Sequence, residues 1–87
     1  MALVGGDAPA LFSFANQLRK RRQAIQDTAV KLGAFVEAAN WVGPDRDRFV
    51  REWRGNHAPQ IQQICNDLDG KADQIARHAQ KQAETSA

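Results

Sequence analysis

Apolar residues recur along this chain at helical spacing. Leu11, Leu18, Ile25, Leu32 and Ala39 stand seven apart. Ala15, Ala29 and Val36 flank them on one side, and Phe14 and Phe35 on the other. Five heptads in phase predict one long amphipathic helix, from about Ala8 to Asn40. Asp7 is placed to cap its start, and Pro9 is tolerated in a first turn. A second series runs Phe49, Trp53, Ile61, Ile64, Cys65, Leu68, Ala72, Ile75, Ala79. Its steps of three and four predict a second helix, from about residue 45 to residue 83. The first six residues read as a loose tail, and the closing ETSA as a frayed end.

Between the two series lies AANWVGPDRDRF, from Ala38 to Phe49. Gly43 supplies the positive φ that a reversal needs. Pro44 suits the first position of a new helix, and Asp45 and Asp47 favour its positive end. The turn is therefore placed at residues 41–44. A second interruption, GNHAP, runs from Gly55 to Pro59. Pro59 has no N–H for the carbonyl of Gly55, and its ring crowds that carbonyl. Phe49, Trp53, His57 and Ile61 nevertheless step by fours through the stretch. That continuity predicts one helix kinked near residues 55–59 rather than two helices.

Two long helices joined by a short turn must run antiparallel. The expected fold is all-α, a single helical-hairpin domain covering residues 1–87. One seam between two helices buries little, and both apolar stripes are broader than a single seam uses. A second interface is therefore expected, with two hairpins forming a four-helix bundle. Leu18, Ile25, Leu32, Ile61, Ile64, Leu68 and Ile75 are the expected hairpin and dimer core. Gly33 weakens its helix by about 1 kcal/mol relative to Ala, and permits a close helix–helix approach.

Composition narrows the chemistry. Twelve Lys and Arg face ten Asp and Glu, a net charge of +2. The most basic run, RKRR at Arg19–Arg22, wraps most of the way round a helix and makes no single basic face. Solvated cations are expected there, with Arg22 meeting Asp67 or Asp69 across the hairpin. Arg46, Arg48, Arg51 and Arg54 alternate with Asp45, Asp47 and Glu52, the pattern of an exposed, ion-paired helix. The one cysteine, Cys65, excludes an intramolecular disulfide and sits on an apolar face as a small core residue. His57 and His78 have no partner at metal-ligand spacing. There is no nucleophile–base pair, paired-carboxylate site or phosphate loop, so no catalytic, cofactor or metal residues are assigned. The segment MALVGGDAPA has neither a basic leader nor a long apolar core, and no membrane span is expected. Trp41 is the exception to these ordinary readings. It is expected to cap the open end of the hairpin and to present one face to a partner.

The turn carries a resemblance. Trp41, Val42 and Gly43 form a Trp-X-Gly turn centred between two heptad-bearing helices. GPDRDRFVREW follows, with Phe49 and Trp53 at similar offsets. In this, nearly the whole chain resembles the WXG family (WXG-100, early-secreted-antigen-like), substrates of type VII (ESX) secretion systems. The continuation is similar to members from actinobacteria. The resemblance implies a non-enzymatic hairpin that pairs with itself or with a paralogous hairpin protein. It implies export as a folded dimer, to the outside or the cell surface, without a cleaved signal peptide. The partner it implies is the type VII export ATPase, with Trp41 and Gly43 as the turn half of a composite signal. The other half in the family is a C-terminal Tyr followed four residues later by Asp or Glu. This chain has no Tyr. Gln80 and Glu84 hold that spacing and are the candidate C-terminal signal. The rival reading is a small helical nucleic-acid-binding or regulatory coiled-coil protein. It would draw on the basic run, although nucleic acid is not the expected partner.

Overall fold

A computed structural model describes residues 7–86, so the first six residues lie outside it. The described residues are all helical apart from Asp7 and the turn. Helix α1 covers Ala8–Glu37. After the turn, α2 covers Pro44–Glu52, a π-helical turn covers Trp53–His57, and α3 covers Ala58–Ser86. These last three run on without a gap and make the second long helix. The molecule measures 64 × 19 × 16 Å.

The helices lie alongside one another and run in opposite directions. Arg19 pairs with Asp73 at 2.9 Å and Arg22 with Asp69 at 3.0 Å. Nearer the turn, Glu37 pairs with Arg54. Rising numbers on α1 thus meet falling numbers on the second helix, a hairpin-like arrangement.

The seam differs from the expected one. Ala15, Cys65, Ala72 and Ala79 are fully buried, and Leu11 nearly so. Leu18, Arg22, Ala29 and Gly33 are half-buried beside them. The contact line has thus moved from the Leu18–Ile25–Leu32 row onto the neighbouring Ala15–Ala29–Val36 flank. Small side chains let two helices approach closely, and the larger ones are then displaced outboard. Ile25, Leu32 and Ile64 are accordingly exposed within the chain, Ile64 by 51%. Ile61, Leu68 and Ile75 are half-buried.

Helix boundaries shift as well. α1 stops at Glu37, three residues before Asn40, and Ala38 closes it by donating to the carbonyl of Ala34 at 3.0 Å. Asp7 begins the helix with its backbone, its carbonyl accepting from Leu11 N–H at 3.1 Å. Its side chain makes no cap bond. At the other end the helix continues through Glu84 and Thr85 to Ser86, where fraying was expected. The Thr85 hydroxyl donates to the carbonyl of Lys81 at 2.6 Å, within the last turn.

The GNHAP interruption takes the form of the π-helical turn. Ala58 N–H reaches back five residues to the carbonyl of Trp53. The wider coil loosens the chain just ahead of Pro59, where a proline ring would press on an α-helical carbonyl. The helix is continuous, as the sequence predicts, but its phase is not. Val50 and Trp53 are buried, and the next inward residue is Ala58, five positions on. Phe49 and His57, which the steps of four put in line, are exposed.

Candidate functional site: the turn and the apolar face

The turn end is built around Gly43. Its φ of 130° and ψ of 174° lie where a side chain is strained. Its carbonyl accepts from Asp47 N–H at 3.2 Å, starting α2. Asp45 and Asp47 occupy the first turn of that helix, as expected. Asp45 also pairs with Arg48 at 3.6 Å.

Two basic side chains tie the turn back to α1. The Arg46 guanidinium donates to the backbone carbonyl of Glu37 at 2.8 Å, satisfying a carbonyl at the helix end. Arg54 grips the Glu37 carboxylate with two N–H groups, its Nε at 3.0 Å. This fork is the strong form of a carboxylate contact. The hydrogen bond from Arg54 holds the Glu37 carboxyl below its ordinary range, and the positive charges of Arg54 and Arg46 act in the same direction. Arg54 is raised in turn, first by its hydrogen bond to Glu37 and then by that residue's charge. The sequence pattern assigned Arg54 to local pairing along its own helix; the structure pairs it across the turn.

The aromatic that closes this end is Trp53. It is 8% exposed and forms a buried cluster with Val36 and Val50, against which Ala58 and Ile61 pack. Its indole lies on Gly33, where an added Cβ would sit 3.0 Å from Nε1. Gly33 does permit the close approach expected of it. The capping role expected of Trp41 therefore falls to Trp53. Trp41 is 46% exposed and its neighbour Val42 is 96% exposed. Both stand on a turn whose backbone is held at both ends.

The second feature is a broad apolar face. Ile25, Leu32 and Ile61 line one shallow groove together with Thr28 and Ala29. Phe14 and Leu18 continue that side along α1 at helical spacing, as Ile64, Leu68 and Ile75 do along α3. Six of the seven residues expected in the hairpin and dimer core thus extend the side that Ile61 shares, and all seven stand beside the small-residue seam rather than in it.

The remaining candidates are placed as follows. Gln80 and Glu84 are exposed near the far end of α3, and the Gln80 amide donates to the Glu84 carboxylate at 3.3 Å. Cys65 is fully buried, its thiol 3.9 Å from the carbonyl of Arg22. His57 and His78 are exposed, and no metal-ligating cluster of three side chains occurs among the described residues. No helix among them is long and apolar enough to cross a membrane. Of the RKRR run, Arg19 and Arg22 are held by Asp73 and Asp69, the second being one of the two partners expected. No protein-family model, curated protein or solved structure matches the chain.

Proposed function

We propose that this chain is a non-enzymatic substrate or secretion partner of a type VII system, similar in kind to the WXG family. It works as one half of a four-helix bundle and leaves the cell folded, without a cleaved leader. Its turn, with Trp41 and Gly43, is offered to the export ATPase. In an antiparallel bundle the Gln80–Glu84 segment of one hairpin lies beside the turn of the other, so the two halves of the signal meet across the dimer.

The observation that carries this reading is the division of labour between the two tryptophans. Trp53 closes the end of the helix pair, which leaves Trp41 without a packing duty of the same weight. A large aromatic, half-exposed on a turn held at both ends, is the kind of side chain that anchors a partner. Trp41→Ala is expected to keep the helical content and melting behaviour of the parent while export falls severalfold in a strain carrying the secretion system. Normal secretion of the folded variant would refute the role of Trp41. Trp53→Ala serves as the contrasting control, because it empties the buried cluster.

The nucleic-acid reading gains nothing from the charge arrangement. Two cations of the basic run are already occupied by aspartates across the seam. A duplex-DNA gel shift at low salt is expected to be blank, since binding through phosphates requires free cations on one face.

A further inference from the structure

The apolar face has a charged midpoint. Arg22–Asp69 and Arg19–Asp73 fix the register of the two helices. That register sets Arg21 and Lys71 at the same level, near the middle of α1. Arg21 stands between Leu18 and Ile25 on the outboard stripe of α1, and Lys71 between Leu68 and Ile75 on that of α3. Both therefore lie on the apolar side of the helix pair. Among the described residues neither is in an ion pair, and Lys71 donates only to the Gln74 amide oxygen, at 3.2 Å. The nearest acid along the stripe, Asp67, lies on its outer flank and accepts from Gln63 at 2.9 Å.

We infer that this midpoint selects the partner: the face rejects a second copy of the chain and accepts a different helical hairpin with carboxylates at the middle of its own apolar face. The inference rests on the pairing of hairpins proposed above. Two copies packed face to face with full overlap are related by a two-fold axis through their midpoints. Whether that axis runs along the helices or across them, Arg21 and Lys71 of one copy meet Arg21 and Lys71 of the other. Four cations would then share a partly dehydrated interface, outnumbering the two Asp67 carboxylates that stand one turn away on its outer flank. Like charges in such a place are repulsive and reject the wrong partner. Carboxylates at the same level turn the repulsion into charge-assisted hydrogen bonds.

The test uses the chain as its own acidic surrogate. The double variant R21E/K71E is prepared, and sedimentation equilibrium is run on the parent, the variant and a one-to-one mixture. Circular dichroism checks that each is helical. The mixture is expected to form a dimer at least about tenfold tighter than either protein alone, with the advantage shrinking as salt rises. A parent self-dimer as tight as the mixed one would overturn the inference and leave the pairing of hairpins standing. A third variant, R21L/K71L, separates the two claims. If it too stays monomeric and no mixture associates, the pairing itself fails, and the inference with it.

Discussion

Gly33 and Gly70 both stand inside long helices, yet a methyl group added to each meets different surroundings. At Gly70 there is open space, so Gly70→Ala is expected to stabilise by about 0.5–1 kcal/mol through helix propensity alone. At Gly33 the same methyl presses on the Trp53 indole, which Val36 and Val50 hold in place. Gly33→Ala is expected to lose the propensity gain and end destabilised by about 1 kcal/mol. Urea titrations of the two variants measure the contrast, and equal gains at both sites would contradict the packing of Trp53 on α1. Glu37 provides a pH test at the same scale. Its carboxyl is held low in the folded chain by Arg54, so its stabilising contribution is fully present above the unfolded value. That contribution fades as pH falls through the depressed folded value. Melting temperature followed from neutral pH to acid is expected to drop less steeply in Glu37→Gln than in the parent, over the lower part of the carboxylate range.

The π-helical turn is a one-residue insertion in an otherwise regular helix. It explains why steps of four through Phe49, Trp53, His57 and Ile61 gave the correct continuity but put the exposed Phe49 and His57 in line with the inward Trp53 and Ile61. Periodicity reports that a helix goes on; it does not report the local pitch. Deleting Asn56 together with Pro59→Ala is expected to convert the turn to regular α-helix while keeping Val50 and Trp53 in phase with Cys65 and Ala72. Near-UV circular dichroism of the tryptophans is expected to survive that change. Deleting Gln74, in the middle of α3, rotates the following face by about 100° and is expected to abolish it. The two helices, their order and the Arg22–Asp69 contact were all legible in the sequence, because each follows from spacing along regular helix. The seam was not. Heptad reading favours the largest apolar residues, whereas the closest packing of two helices favours the smallest, here Ala15, Cys65, Ala72 and Ala79. The exchange of roles between Trp41 and Trp53 was hidden for a related reason. Which aromatic fills the joint depends on the notch at Gly33, a meeting of residues twenty positions apart.

At the scale of the whole molecule, one long side of a thin rod carries most of its large aliphatic residues. Ile64→Asp is expected to leave the far-UV spectrum helical at high protein concentration yet prevent association with the R21E/K71E variant in sedimentation, since Ile64 is half-exposed within the chain. Val30→Asp, on the opposite side and 63% exposed, is expected to change neither. The small-residue seam has a consequence that reaches beyond shape. Alanines and a cysteine exclude little apolar surface from water, so each helix pair gains only modest cohesion from its own joint. On the proposed pairing, cover for the leucines and isoleucines comes from the other hairpin. Pairing would then add its free energy to that of the hairpin, and stability would rise with the amount of partner present. Midpoints of thermal unfolding should climb with the concentration of that partner. In a cell, chain made in excess of its partner would be the fraction first reached by proteases.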